Sequence, residues 1–324
     1  MPEIQERPFG AYVVEVAFLG DTAVFALGDG SVRRVTGDGE GATTVHAGAI
    51  LAAARSRDGE SLITGGDDGL VARTDAGGTV ATIAQRKGKW IDQIAAGPND
   101  AVAFAAGRRA EVRLGDGRER AFDLPRAVGG VAFAPKGLRL AVARYDGATL
   151  WWAGTDADPV AFEWKGAHIA VAFSPDGKYL LTAMQDNQLH GWRLDDGKDM
   201  RMSGYPAKPR SLSWSAKGRF LATSGANAAV LWPFHHKDGP QGKPPLQLGA
   251  REVLVTRVAC HPKEELLAIG YQDGMVMAVR FADAEEVLLR RPGGGPVSAL
   301  AWDDRGGRLA YGTEEGAAGI VTIA

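Results

Sequence analysis

A short motif recurs along the chain at a nearly constant interval, and this repetition restricts the folds that the sequence can adopt. Its two clearest copies are VAFAPKG at residues 131–137 and VAFSPDG at residues 171–177. Eight copies align on a small central residue, and successive copies lie 37 to 46 residues apart. The central residues are Ala17, Ala54, Ala95, Ala132, Ala172, Ser213, Ala259 and Ala301. A small side chain in every copy is expected where the innermost strands of neighbouring units crowd around one axis.

Each copy of the motif is followed by the same series of turns and short apolar runs. A first turn, such as Ser174 to Gly177, precedes an apolar run, and a second turn that contains Asp-Gly, such as Asp68-Gly69, follows it. Asp-Gly between apolar runs favours a tight hairpin, because glycine tolerates the positive φ that such turns require. Four short antiparallel strands in about 40 residues are typical of a β-propeller blade, and no segment keeps a helical apolar period. The sequence therefore predicts an all-β chain that forms a single β-propeller.

The repeats divide the whole chain, residues 1–324, into eight units of one propeller. We number them one to eight: 12–48, 49–86, 90–125, 127–164, 167–204, 208–249, 254–291 and 296–324, the last completed by 3–9. Unit eight contains only three strands before the chain ends, and an open strand edge would invite aggregation. We therefore expect residues Glu3 to Phe9 to supply its fourth strand and close the ring. Eight four-stranded blades are predicted, and seven are the alternative if unit one or unit three is degenerate.

The units resemble those of the WD-repeat β-propeller family over nearly the whole chain. That family places a Trp six residues after the Asp of the second turn, a Ser or Thr four residues before that Asp, and a His in the loop leading into the inner strand. The matching residues are Asp146 with Trp152, Asp186 with Trp192, Trp232, Thr64 with Asp68, Thr182, and His46. At the three Trp positions the following residue is Ala153, Arg193 or Pro233 rather than the family's Asp. The chain is therefore expected to be a divergent member of that family.

The resemblance also implies a role for His46, Thr64 and Asp68. These residue types can form a hydrolase triad, but in the family the corresponding set is a structural hydrogen-bond network that ties a loop to a blade. Thr74 stands where the family's Trp would complete the network. Catalysis by a triad needs an exposed nucleophile and an oxyanion hole, and the sequence signals neither. We therefore assign these residues and the other family matches to structure, and we predict no catalytic residues.

The composition argues against several functional classes. The chain has 37 basic and 39 acidic residues, so its net charge of −2 gives no overall attraction to nucleic acid or to an anionic membrane. One cysteine cannot form a disulfide framework, and the six histidines lack the paired spacing of metal ligands. The first residues, MPEIQERPFG, lack the pattern of a secretory signal, and no run of about 18 apolar residues could span a bilayer. We expect a monomeric cytoplasmic protein without a metal or other cofactor.

The most promising binding surface is the face that carries the loops leading into the inner strands and the second turns. Members of the WD-repeat family usually hold their partners there, around the mouth of the central channel. The residues predicted on this face are Asp67, Trp90, Asp92, Arg144, Tyr145, Gln185, Lys208, Arg210, Arg257, Tyr271 and Gln272. Trp, Tyr and Arg are enriched among the residues that dominate the energy of protein interfaces.

The predicted function is a non-enzymatic scaffold that binds a protein or peptide partner on this face. The alternative is a metal-binding or hydrolytic propeller with a polar site in the central channel. The inner strands are rich in Ala, Val and Phe, which disfavours that alternative.

Overall fold

The computed structural model describes residues 3–37 and 39–323, and every regular element in these ranges is a β-strand. The first strand is β1 (Glu3–Pro8). Units one to three contain β2 (Val13–Leu19), β3 (Thr22–Leu27), β4 (Ser31–Thr36), β5 (Gly39–Thr44), β6 (Ile50–Arg55), β7 (Ser61–Gly66), β8 (Leu70–Asp75), β9 (Val80–Gln85), β10 (Gln93–Ala96), β11 (Val102–Ala106), β12 (Arg109–Arg113) and β13 (Glu119–Asp123). Units four and five contain β14 (Gly130–Phe133), β15 (Arg139–Trp152), β16 (Val160–Phe173), β17 (Tyr179–Met184), β18 (Gln188–Arg193) and β19 (Asp199–Met202). Units six to eight contain β20 (Leu212–Trp214), β21 (Phe220–Thr223), β22 (Ala229–Pro233), β23 (Leu246–Leu248), β24 (Val255–Cys260), β25 (Leu266–Tyr271), β26 (Val276–Arg280), β27 (Glu286–Arg290), β28 (Val297–Trp302), β29 (Arg308–Thr313) and β30 (Ala317–Thr322).

The strands form seven sheets, six with four strands and one with six, and the sheets are arranged around a ring as a β-propeller. The prediction of eight four-stranded blades is therefore off by one, and the alternative of seven is confirmed. Units one and three, which that alternative took to be degenerate, each form a complete four-stranded sheet. The prediction of an all-β propeller without helices is confirmed for the described residues.

The six-stranded sheet arises because units four and five share continuous strands. The first part of β15 pairs with β14, and its last part pairs with the first part of β16. The chain reverses direction within β15 at Asp146 and Gly147, which have φ angles of 63° and 133°. The second part of β16 then pairs with β17, so one strand serves as the outer strand of unit four and the inner strand of unit five. Eight inner strand segments therefore belong to seven sheets.

The ring is closed by the N-terminal strand, as predicted. β1 pairs antiparallel with β30 from Glu3 opposite Thr322 to Pro8 opposite Ala317. The sheet that contains β28, β29 and β30 thereby gains its fourth strand. Phe9 continues past β1 and packs edge-on against Phe25 of β3, with 5.1 Å between the ring centroids. Both ends of the chain are thus held in unit eight and against unit one.

The apolar core is divided among layers between adjacent units. The small central residue of the motif lies in these layers: Ala17 packs in a buried cluster with Ile50 and Leu62 of unit two. A second small-residue position, which sequence reasoning missed, lies on the second strand of each unit. There a Cβ atom added to Gly65, Gly270 or Gly312 would collide with Ile91, Val297 or Val13 of the next unit. Adjacent units therefore interlock by a branched side chain that packs over a glycine.

Residues 3–37 and 39–323 contain no helix that is long and apolar enough to cross a membrane.

Candidate functional site

Four of the residues predicted to bind a partner line one cleft at the mouth of the central channel. The cleft has a volume of about 320 Å³, and units one, six, seven and eight form its walls. We call it the channel-mouth cleft and define it by Tyr12, Lys208, Arg210, Arg257, Gln272 and Glu314. It lies on the predicted face, which we call the upper face; the lower face carries the first turns.

Hydroxyl side chains join the inner strands beneath the cleft. The Val258 amide donates to Ser211 Oγ at 3.0 Å and connects unit six to unit seven. Thr256 Oγ1 donates to the Val297 carbonyl at 2.7 Å, and Ser298 Oγ donates to the Val13 carbonyl at 2.6 Å. Four successive units are therefore fixed relative to one another at the floor of the cleft. Sequence reasoning missed these hydroxyls, although each lies at or just before the start of an inner strand.

The cleft carries three basic side chains without carboxylate partners. Among the described residues, Lys208, Arg210 and Arg257 form no ion pair within 4.0 Å. Arg257 Nε instead donates to the backbone carbonyl of Ser298, which orients the guanidinium. Among the described residues that line the cleft, Glu314 is the one acidic side chain. The electrostatics of the cleft therefore favour an anionic ligand.

Glu15 lies on β2, the inner strand of unit one, and does not line the cleft. Burial raises the pKa of the Glu15 carboxyl, and the nearby Arg257 and the hydrogen bond from the Val16 amide oppose this increase. That amide donates to Glu15 Oε1 at 3.0 Å. Arg257 and Glu15 therefore interact electrostatically, but they form no salt bridge within 4.0 Å among the described residues.

The other predicted upper-face residues do not line the channel-mouth cleft. Trp90 and Tyr145 are exposed, at 69% and 47% of their surface. Arg144 is paired with Glu163 at 2.5 Å. Asp92 and Gln185 are exposed and Asp67 is half-buried. These six residues remain a predicted surface, separate from the cleft.

The placement of Tyr271 on the binding surface is wrong. Tyr271 is fully buried in the layer between units six and seven, where its hydroxyl donates to the Gly249 carbonyl at 2.5 Å. Both faces of β25 are covered by neighbouring sheets, so the residue before the turn still points into the core. Tyr271 therefore supports the packing of unit seven beneath the upper face.

The network that the family resemblance implied for unit two is present. His46 is buried, its Nδ1 lies 3.0 Å from Asp68 Oδ1, and its Nε2 lies 2.8 Å from Thr64 Oγ1. Asp68 also accepts a hydrogen bond from the Ala47 amide at 3.0 Å, which fixes the loop to the turn. The hydroxyl of Thr74, in the place of the family's Trp, is buried without a hydrogen-bond partner. Thr64 has the geometry of a buried structural residue.

A tyrosine replaces the histidine of this network in unit six. Tyr205 lies eight residues before Ser213, as His46 lies eight residues before Ala54. Trp232 Nε1 donates to the Tyr205 hydroxyl at 2.6 Å, and that hydroxyl lies 2.6 Å from Thr223 Oγ1. Burial raises the pKa of Tyr205 to about 12, so the phenol stays protonated. Sequence reasoning missed Tyr205 because only the position, and not the residue type, matches the family.

The remaining family matches form local contacts in units four and five. Asp146 accepts a hydrogen bond from the Gly166 backbone amide at 3.1 Å, and Asp186 Oδ2 accepts one from the side-chain Nε2 of Gln188 at 2.5 Å. Thr182 Oγ1 lies 2.7 Å from His168 Nδ1, which Trp192 flanks. Trp152 is partly buried in the layer between units four and five.

The chain's one Trp-Asp dipeptide, Trp302-Asp303, lies at the end of inner strand β28 rather than at the family's Trp position. Trp302 Nε1 donates to the Ala259 carbonyl of unit seven at 2.9 Å, and Asp303 accepts from Arg308 Nε at 3.1 Å. The pair therefore helps to hold units seven and eight together on the lower side.

His190 is buried in unit five between two indole rings. It stacks on Trp164 at 3.8 Å between ring centroids and meets Trp192 edge-on at 4.8 Å. Neither ring nitrogen has a hydrogen-bond partner among the described residues. Burial lowers the pKa of His190 to about 4, although the carboxylate of Asp199 opposes the decrease. The folded protein therefore holds this imidazole neutral.

This environment predicts a loss of stability in acid. His190 has a pKa near 6.5 in the unfolded chain but a pKa of about 4 in the folded protein. The contribution of the neutral imidazole to the free energy of unfolding is therefore complete above pH 6.5 and is lost as the pH falls towards 4. We expect His190→Phe to flatten the decrease in melting temperature between about pH 6.5 and about pH 4.5. The exposed His235→Gln variant is the control and should follow the wild type. Parallel curves for wild type and His190→Phe would contradict the assignment.

No group of three or more His, Cys, Asp or Glu side chains in residues 3–37 and 39–323 is arranged to hold a metal ion. Burial raises the pKa of the Cys260 thiol to about 12, so this cysteine is protonated at neutral pH.

The sequence is similar to a family model and to several known proteins. The family model described as WD domain, G-beta repeat matches residues 163–193. WD repeat-containing protein 55 of Rattus norvegicus and that of Homo sapiens are each 26% identical over 195 residues, which cover 58% of this chain and 50% of those proteins. The chain thus spans about half the length of these curated relatives. Telomerase protein component 1 of Rattus norvegicus is 26% identical over 186 residues, which cover 55% of this chain and 7% of that protein.

Among solved structures, the computationally designed Ika8 protein is similar with a TM-score of 0.80 and 17% sequence identity, covering 98% of both chains. This likeness shows the fold alone. The ring and its repeated units define a repeat protein of the β-propeller class. The sequence matches, which cover part of the chain, make it similar to the WD-repeat β-propeller family. Propellers of this family generally bind protein partners.

Proposed function

We infer that this protein is a non-enzymatic scaffold that binds a protein or peptide partner in the channel-mouth cleft. The observation that carries the proposal is the convergence of basic, aromatic and amide side chains from units one, six and seven on one cleft, which unit eight completes. The hydroxyl bonds beneath it hold these units in a fixed relation. A rigid site loses little ordering entropy when a partner binds, so modest contacts suffice for affinity.

Affinity purification with quantitative mass spectrometry tests this proposal. The double variant Lys208→Ala/Arg210→Ala removes two side chains of the cleft, and we expect capture of the specific partners to fall about tenfold or more. Lys217→Ala/Lys263→Ala is the matched control, because both lysines are exposed on the lower face of units six and seven. Capture by the control should equal that of the wild type. A set of partners that the cleft variant retains in full would exclude the cleft as the binding site.

A further inference from the structure

We propose that the segment bound in the channel-mouth cleft is acidic, with a partner carboxylate seated on Arg257 and an apolar side chain beside it. This inference rests on the proposed function and specifies the chemistry of the partner. The occupant is an extended acidic segment of another protein, since the cleft is open at the channel mouth and its walls come from separate loops.

The first argument is that the cleft arginines lack the carboxylate partners that several arginines near them have. Arg251, in the connection between units six and seven, is paired with Glu286 of unit seven at 2.5 Å. In unit eight, Arg308 is paired with Asp303 at 3.1 Å. Arg210 and Arg257 have no such partner among the described residues, although the chain carries more acidic than basic residues. The guanidinium groups of Arg210 and Arg257 are therefore free to bind a carboxylate of another molecule.

The second argument is the orientation of Arg257. Its Nε is bound to the Ser298 carbonyl, and Ser298 is itself bound through Oγ to the Val13 carbonyl. The guanidinium is therefore held by the floor of the cleft, and in the described hydrogen bonds its terminal nitrogens have no acceptor. A planar guanidinium with free donors binds a carboxylate with two parallel hydrogen bonds. An acidic side chain is the protein group that this geometry fits.

The third argument is the position of Glu15. Its carboxyl lies on the inner strand β2, is an electrostatic neighbour of Arg257 and does not line the cleft. A partner carboxylate bound to Arg257 would therefore lie near Glu15, whose ionised form repels it. Removing the charge of Glu15 should strengthen binding, which is the opposite of the effect of removing Arg257.

The apolar part of the cleft defines the second feature of the partner. Tyr12 is 40% exposed, and Leu254 and Pro296 line the same cleft. These side chains provide an apolar wall beside the basic groups. A residue such as Leu or Phe next to the acidic residue would bury surface there. The expected motif is therefore an Asp or Glu adjacent to a large apolar residue.

A display selection tests the inference without knowledge of the partner. A library of random dodecapeptides is selected on the wild-type protein, on Arg210→Gln/Arg257→Gln and on the lower-face control Lys217→Gln/Lys263→Gln. The wild type and the control should enrich the same acidic and apolar motif, and the cleft variant should lose it. Enrichment of neutral or basic peptides that still depend on the cleft would overturn the acidic assignment and leave the proposed function standing. Recovery of no cleft-dependent peptide would also overturn it, and the partner-capture experiment would then decide the proposed function.

Fluorescence anisotropy of one recovered acidic peptide tests whether substitutions of Arg257 and Glu15 change its Kd in opposite directions. Arg257→Gln should raise its Kd about tenfold or more, and Glu15→Gln should lower it about threefold. The Kd should also rise between about 50 mM and about 300 mM salt. A single-stranded dodecamer of thymidylate is the polyanion control, and equal or tighter binding of that oligonucleotide would contradict a peptide site. Unfolding curves for each variant separate a loss of binding from a loss of fold. A Glu15→Gln variant that weakens binding would contradict the arrangement.

Discussion

Removal of residues 1–9 is expected to lower the melting temperature by about 5 °C or more, because unit eight loses its outer strand. The deletion removes six paired residues of β1 from β30 and the packing of Phe9 against Phe25. Truncating a half-buried phenylalanine costs about 2 kcal/mol, and each kcal/mol shifts the melting temperature of a protein of this size by about 2–4 °C. The deletion also exposes the edge of β30, so thermal unfolding should be accompanied by more aggregation.

Scanning calorimetry and light scattering measure these two effects. Deletion of residues 1–2 alone is the control, because it leaves β1 and Phe9 in place. The control should melt with the wild type. An unchanged melting temperature for the longer deletion would mean that the N-terminal strand does not close the ring in solution.

Gly312→Ala is expected to destabilise the protein by about 1–3 kcal/mol, because the added methyl group overpacks the boundary between units eight and one. A Cβ atom at Gly312 collides with the side chain of Val13. Val13 is fully buried, so it cannot move aside into solvent. The collision is specific to this pair, and Val13→Ala in the Gly312→Ala background should recover part of the lost stability.

Denaturant unfolding of the two single variants and the double variant completes a thermodynamic cycle. The two substitutions should couple by about 0.5 kcal/mol or more, as contacting residues do. Gly307→Ala is the matched control in the same unit, because a Cβ atom there has nothing within 4 Å. Strict additivity of Gly312→Ala and Val13→Ala would show that the two units do not interlock at this position.

Much of the fold could be predicted because the relevant chemistry is local. The small central residues and the Asp-Gly turns identify the inner strands and hairpins without knowledge of the rest of the chain. The missing strand of unit eight also pointed to the N-terminus. The number of sheets could not be predicted, since it depends on whether backbone pairing continues through β16 and not on side-chain pattern.

The candidate site was predicted only in part, for a different reason. Lys208, Arg210, Arg257 and Gln272, which were predicted on the upper face, line the channel-mouth cleft, and each lies beside a recognisable turn or inner strand. Tyr12 was missed, because its position in unit one has no counterpart among the family matches. Tyr271 was misplaced, because both faces of a strand between two sheets are buried and alternation carries no information there. Whether a basic side chain has a carboxylate partner depends on contacts between units, which sequence spacing does not reveal.

Closure of the ring by the N-terminal and C-terminal strands defines the propeller. Glu3 and Thr322 are exposed and lie opposite each other in the pairing of β1 with β30. Glu3→Cys/Thr322→Cys should therefore form an intramolecular disulfide on mild oxidation, identified by peptide mapping, while the protonated thiol of Cys260 stays unreacted. Recovery of the linked peptides from monomeric protein is the predicted result. Disulfides found only between different molecules, or none at all, would contradict the closed propeller.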